Sequence, residues 1–174
     1  MYLTLEPARP AELEDCWAAI CAGREFQRRQ GFVQWTEDYP TREMLREDMA
    51  LGRGYALLAE GRVAGYLCLD FGGDPAYLGI DGAWGTEEPY GVVHRMAFGA
   101  EFQGKGLFPS ALRLVEAVCL ARGVRNLRMD TDPSNLRMQH VLERNGFTLR
   151  GRVLFQGDWK LAYDKALGPH PGES

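Results

Sequence analysis

The chain has 174 residues, 45% of them apolar and 25% charged, with a formal net charge of −4 at pH 7, which describes one globular domain and excludes a disordered polymer. An acidic balance with scattered basic residues leaves no electrostatic footprint for nucleic acid. No apolar run approaches the roughly 20 residues that span a bilayer, and Cys16, Cys21, Cys68 and Cys119 show no metal-ligand spacing and no preceding leader, so reduced thiols in a cytoplasm and no metal are expected.

Residues 2–6 alternate polar and apolar side chains as a strand does. Residues 12–30 place Leu13, Cys16, Trp17, Ile20 and Cys21 on one helical face, ending near Gly31. An aromatic loop over residues 32–40 carries Trp35 and Tyr39, after which Thr41 can cap a helix that turns Met44, Leu45 and Met49 inward. Residues 55–59 and 63–70 read as an antiparallel hairpin closed by Glu60, Gly61 and Arg62. Extra strand or loop is expected through residues 72–91, with Tyr77, Asp81, Trp84 and Tyr90 distributed along it. An apolar strand over 91–98 feeds a helix over 109–122, whose Ala111, Leu112, Val115, Val118 and Cys119 share a face and which Gly123 stops. Next come a strand over 126–130, which Arg125 and Arg128 flank, a helix over 135–145 with Met138, Val141 and Leu142 inward, and strands over 148–155 and 159–164. A hairpin followed by alternating strands and helices gives an α/β (by some schemes α+β) fold, a mixed sheet with helices on both faces. Residues 1–167 contain no linker or repeat and read as a single domain, with 168–174 as a mobile tail.

The most informative stretch is residues 93–112, where the apolar strand passes through Gln103-Gly104-Lys105-Gly106-Leu107-Phe108 into the start of a helix. A helix N-terminus leaves backbone N–H groups unpaired and carries about half a positive charge, so glycines at that point suggest a diphosphate-bearing ligand. The Walker loop is excluded because Gly106 follows Lys105 where Ser or Thr is required, and the dinucleotide loop because Pro109 stands at its third glycine. What remains resembles the Gln/Arg-x-x-Gly-x-Gly/Ala loop of the GNAT superfamily of acyl-CoA-dependent N-acetyltransferases. Downstream, Asn135 and Glu143-Arg144-Asn145-Gly146-Phe147 are similar to that family's Asn…Glu-Lys-x-Gly-Phe segment, and the element order over residues 2–167 looks like the family order. Phe108 departs from the pattern, and its ring must point away from a bound cofactor.

The resemblance implies a GNAT-like fold with a mostly antiparallel central sheet. It implies transfer of an acetyl group from acetyl-CoA, a co-substrate, to a primary amine on a small molecule or peptide, by direct attack in a ternary complex. Gln103, Gly104, Lys105, Gly106, Leu107 and Phe108 would hold the coenzyme A pyrophosphate, and Asn135 would direct its amide at the pantetheine arm or an ordered water. Met96, Ala97 and Phe98 match the place where the family supplies a backbone N–H to the thioester oxyanion, where the strand splays from its neighbour. The oligomeric state is open, with a homodimer one option.

An alkyl amine has a pKa of about 10.4, so reaching the uncharged nucleophile at neutral pH costs roughly 4 kcal/mol and calls for a base or a proton-relaying water. His94, flanked by apolar Val92, Val93, Met96 and Phe98, is the first candidate, and the arylalkylamine type of the family looks to carry a histidine at this spacing; a satisfied core histidine is the alternative. In a regular pleat Arg95 faces the opposite side, able to pair with Asp130 or Asp132 or to bind a substrate carboxylate. Asp130, at the carboxyl edge of its strand, could orient the amine, with capping by Asp132 or Ser134 the alternative for that cluster. The family's usual acid, a tyrosine that protonates the departing thiolate, is replaced by Leu142, so Tyr163 or water could substitute, with core packing the alternative for Tyr163. Trp35, Tyr39, Trp84 and Tyr90 are candidates for an acceptor pocket, against the alternative of aromatic core. Cys119 lies mid-helix and makes a poor acyl carrier. A different class, an acyl-CoA-binding regulatory module without turnover, is favoured by Leu142 and opposed by His94. Phosphoryl transfer lacks a Walker lysine and a magnesium site.

Overall fold

The computed structural model describes residues 1–168, so all of the expected tail except Gly168 lies outside the described residues. The elements follow as β1 (Leu3–Pro7), α1 (Leu13–Arg29), α2 (Arg42–Ala50), β2 (Gly54–Ala59), β3 (Arg62–Asp70), α3 (Pro75–Leu78), β4 (Asp81–Gly82), β5 (Gly91–Phe98), α4 (Phe108–Ala121), β6 (Asn126–Thr131), α5 (Leu136–Arg144), β7 (Thr148–Phe155) and β8 (Asp158–Ala166). The strands run in the hydrogen-bonded order β1-β2-β3-β5-β6-β8-β7-β4. Pairs β1–β2, β2–β3, β6–β8, β8–β7 and β7–β4 are antiparallel, whereas β5 and β6 pair in parallel, Gly91 with Leu127 and Val92 with Arg128. This is the mixed, mostly antiparallel sheet expected. Among the described residues no helix is long and apolar enough to cross a membrane.

The local signals explain most of these elements. Thr41 caps α2 by accepting from the Met44 N–H at 3.2 Å. The β2–β3 hairpin turns through Glu60 and Gly61, both with positive φ (52° and 77°), as a two-residue turn matched to strand twist requires. Within residues 72–91 the structure adds a four-residue helix, α3, to the strand and loop expected. Asp74 accepts from the Ala76 N–H at 2.9 Å and Pro75 occupies the first turn, a cap and start too short to leave a periodic pattern.

Contacts group the chain into two compact units, Met1–Leu69 with Val93–Leu114, and Asp70–Val92 with the residues from Val115 onward. In the first, Leu13, Cys16 and Ile20 of α1 and Leu45 of α2 bury against Ala56, Tyr66 and Ala97. Ile20 and Leu45 are both fully buried, worth about 1.5–3 kcal/mol each. Leu3, Ala59, Ala64, Phe102 and Leu107 form a smaller cluster beside it. In the second unit Tyr77, Val92, Val153 and Ala162 make the core, with Trp84 and Tyr90 packed against it.

Candidate active site

In the first unit Gln103 anchors the glycine-rich turn. Its Nε2 donates to the Ala22 carbonyl at 2.9 Å and the Phe98 carbonyl at 3.2 Å, and Arg29 Nη2 donates to its Oε1 at 3.2 Å. The end of β5 and helix α1 are thereby tied to the loop. Gly104 and Gly106 hold φ of +70° and +66°, and a Cβ built at either would meet no atom within 4 Å. The left-handed conformation disfavours a side chain, and the space over both glycines is open. Leu107 is buried and pins the loop from below, Phe108 is half-buried and Lys105 exposed. The first intrahelical bond of α4 runs from the Ala111 N–H to the Leu107 carbonyl at 3.0 Å, so the N–H groups of Phe108 and Ser110 precede the ladder and Pro109 adds none to satisfy. Open glycine backbone ahead of a 14-residue helix fits a phosphate group.

Strand β5 leads into this loop. The Gly99 N–H donates to the Ala64 carbonyl at 2.8 Å, and a Cβ on Gly65 would stand 2.6 Å from the Ala97 carbonyl oxygen, so residues 97 and 99 turn their polar groups toward β3. By alternation, Met96 and Phe98 present theirs at the other edge of the strand. The pleat is not regular upstream. Three non-glycine residues have positive φ among the described residues: Glu60 and Gln156 lie in hairpin turns, but Arg95 (φ 52°) sits inside β5. A left-handed conformation there costs about 1–2 kcal/mol and needs support from its surroundings. His94, Arg95 and Met96 are all half-buried, a run of three where a pleat would alternate.

The Arg95 side chain is held by Asp48 on α2. Arg95 donates from Nη2 to Asp48 Oδ1 at 2.7 Å and from Nε to Oδ2 at 3.0 Å, a bidentate fork, and from Nη1 to the Tyr39 hydroxyl at 3.2 Å. Asp48 is fully buried and also accepts from the Tyr66 hydroxyl at 2.6 Å and from Arg53 Nε at 2.8 Å. Burial alone would push its carboxyl up, yet the bonds from Arg95, Tyr66 and Arg53 outweigh that and hold it below the usual carboxylate range. The expected partners of Arg95 were Asp130 or Asp132; the structure corrects this to Asp48, because the left-handed turn at Arg95 breaks the pleat that the expectation assumed. Its guanidinium is engaged by protein rather than presented to a substrate carboxylate. Trp35 is 7% exposed and packs in the core cluster of the first unit, while Tyr39 reaches Arg95.

In the second unit Asp130 accepts a 2.6 Å hydrogen bond from the Tyr77 hydroxyl. Asp132 is committed elsewhere, bonded to the Ser134 N–H at 2.9 Å and to Lys160 Nζ at 3.0 Å. Arg128 lies inside β6, within the strand bounds expected, and is 3% exposed, with its guanidinium 4.1 Å from the Trp84 ring centre and 3.6 Å from that of Tyr90. Its Nη2 donates to the Thr86 carbonyl at 2.9 Å, and burial lowers its pKa. The faces of Trp84 and Tyr90 therefore meet an internal cation. Asn135 caps α5, its Oδ1 accepting from the Met138 N–H at 3.1 Å. Tyr163 is 1% exposed in β8, paired with Met129 and Leu149, and burial followed by nearby Glu143 raises its pKa. Leu142 is fully buried. Cys119 is too, with its thiol pushed up to about 11 by burial, which disqualifies it as a nucleophile.

Asp48, Tyr77 and Arg128 are the residues that sequence reasoning missed. Asp48 left a readable trace, since it falls three residues after Leu45 and four after Met44, within the stripe read as apolar. Arg128 stood between apolar neighbours in a strand. Tyr77 gave no signal beyond its aromaticity.

The sequence matches the model of the Acetyltransferase (GNAT) family over residues 20–147, most of the chain. A search of curated proteins finds no match. Among solved structures, a GNAT-family acetyltransferase from Streptococcus agalactiae shares 28% identity and a TM-score of 0.86, each chain covered to 96%. One from Listeria monocytogenes shares 18% identity and a TM-score of 0.76, with 95% of each chain covered. The aminoglycoside acetyltransferase AAC(6')-Ib, solved with ribostamycin and coenzyme A, shares the fold at 22% identity and a TM-score of 0.66, covering 95% of this chain and 94% of its own. With the glycine loop, the strand and the helix start in their places, the chain belongs to the acetyltransferase (GNAT) family of acetyl-CoA-dependent acyltransferases.

Proposed function

We propose that the chain acetylates a primary amine by direct attack in a ternary complex with acetyl-CoA. The observation that carries this reading is the anchored loop at Gly104 and Gly106, with open space over both glycines and the start of α4 behind them. Acetyl-CoA supplies the activated acetyl group as a thioester. The backbone around Gly104, Lys105, Gly106, Leu107 and Phe108 would grip its pyrophosphate, with Gln103 bracing the loop from behind and Asn135 directing its amide nitrogen at the pantetheine arm. Of the three strand residues Met96, Ala97 and Phe98, the direction of the amides favours Met96 and Phe98 as donors to the thioester oxygen.

His94 is proposed as the base that takes the amine proton, and Asp130, held by Tyr77, as the carboxylate that orients the amine. Tyr163 keeps its proton at neutral pH and is the proposed donor to the departing thiolate, water being its substitute. Tyr39, Trp84 and Tyr90 are proposed for the acceptor side, with Trp35 and Arg95 supporting it from within the fold. By analogy with the aminoglycoside enzyme, whose structure holds ribostamycin, a small-molecule amine is the first acceptor class to screen. Four cysteines, none in a disulfide, support a reducing compartment such as the cytoplasm.

A second reading, a regulatory module that binds acyl-CoA without turnover, is favoured by Leu142, a fully buried aliphatic side chain where the family tyrosine is usual. Calorimetry with coenzyme A, followed by thiol release from acetyl-CoA across an amine panel, separates the possibilities. Binding with release supports the enzyme, binding without release on any amine supports the module, and no binding refutes both.

A further inference from the structure

Arg95 combines two features that are separate elsewhere among the described residues. It is the non-glycine residue with positive φ that lies inside a strand rather than in a hairpin turn, and its side chain is locked by a fully buried carboxylate 47 positions earlier in the chain. Strain of this kind persists when the surroundings over-determine it, and such positions collect where backbone direction matters to function. The next residue is Met96, whose amide, with that of Phe98, is assigned to the strand edge away from β3 by alternation from the polar groups of residues 97 and 99. We propose that Asp48 is a positioning residue for acyl transfer: through its fork on Arg95 it fixes the left-handed turn in β5 that aims the Met96 and Phe98 amides at the thioester oxygen.

The inference rests on the reading of those amides as oxyanion donors. The network is built for holding rather than for proton exchange. Asp48 receives four hydrogen bonds, from Arg95 twice, Arg53 and Tyr66, and has no exposed surface through which a substrate could reach it. Arg95 is also clasped by Tyr39, from the loop that precedes α2, so its guanidinium is fixed on two sides. A fork-shaped cation suits this task where an ammonium does not, because a lysine makes one point contact and leaves the rotation of its backbone undetermined.

The position therefore separates two explanations by an unusual ranking of substitutions. If the ion pair serves packing alone, Arg95→Lys, which keeps the charge, is better tolerated than Arg95→Gly. If Asp48 and Arg95 serve the backbone, glycine is the better replacement, because it adopts a positive φ without any clamp. The experiment is isotope-edited infrared spectroscopy of acetyl-CoA labelled at the thioester carbonyl, bound to the full chain, with coenzyme A affinity measured in parallel by calorimetry. In the unsubstituted protein the bound carbonyl band shifts to lower frequency. In Asp48→Asn and Arg95→Lys most of that shift is lost while coenzyme A affinity stays within about twofold, a change of some 0.4 kcal/mol. In Arg95→Gly, and in the Asp48→Asn/Arg95→Gly double variant, the shift returns. Should Asp48→Asn not fold, the two Arg95 variants decide the question. The proposal is overturned if lysine preserves the shift better than glycine, if every variant keeps the full shift, or if the unsubstituted protein binds acetyl-CoA with no shift. Absence of any coenzyme A binding would instead overturn the functional reading itself, and this inference with it.

Discussion

Replacing Gly106 by alanine tests the phosphate cradle without introducing a clash. The residue holds φ +66°, and nothing stands within 4 Å of the new Cβ, so the penalty is conformational. An L side chain in the left-handed region costs about 1–2 kcal/mol. The free loop escapes that cost by relaxing to negative φ, which turns its N–H groups away from the phosphate, and coenzyme A must then restore the strained form on binding. A cost of about 1–2 kcal/mol translates to a Kd weakened roughly 5- to 30-fold. Gly52, with φ +73° and equally open space, lies in the turn after α2 and supplies the control. Isothermal titration of coenzyme A into both variants should show weakening for Gly106→Ala and none for Gly52→Ala. A Gly106→Ala protein that binds as tightly as the parent, or a Gly52→Ala protein weakened to the same degree, would refute the assignment of the loop.

Asp48→Ala leaves two arginines and a tyrosine hydroxyl without their shared acceptor; breaking a buried pair costs about 3–5 kcal/mol, or roughly 6–20 °C of Tm for a chain of this size, measurable by calorimetry or urea melts. Because the folded-state pKa of Asp48 is depressed, its contribution is fully present above the unfolded value near 3.9 and fades as pH falls through the folded value, so the stability gap between the parent and Asp48→Asn should narrow in acid; a gap independent of pH would contradict this. His94→Ala should lower turnover, and unchanged kinetics would remove His94 from the mechanism. Tyr77→Phe removes the 2.6 Å bond to Asp130 and should raise KM for the amine more than KM for acetyl-CoA; equal changes in both would place Asp130 outside the acceptor side.

The elements were legible where a local signal sets them. The Thr41 cap, the Gly61 turn and the 103–108 loop each specify their own conformation within a few residues, and the structure contains all three. Helix α3 was missed because four residues give periodicity nothing to repeat, although Asp74 and Pro75 spelled out its start. The partner of Arg95 was illegible for a different reason. Alternation assigned its face, but its backbone is left-handed and its side chain reaches Asp48, and no local pattern reports a contact formed across 47 residues. The aromatic residues fared unevenly because ring chemistry does not say which neighbour will occupy the face: Trp35 went to the core and Trp84 and Tyr90 to Arg128.

The placement of Arg128 has a consequence for redesign. Two rings that would attract a cation already hold one, the guanidinium of Arg128, contributed by the chain itself. Any cationic guest engineered onto Trp84 and Tyr90 would first have to displace this resident, and Arg128→Met vacates both faces while keeping a side chain of similar reach. Libraries that vary the two aromatics but leave position 128 untouched would be searching a seat that is taken.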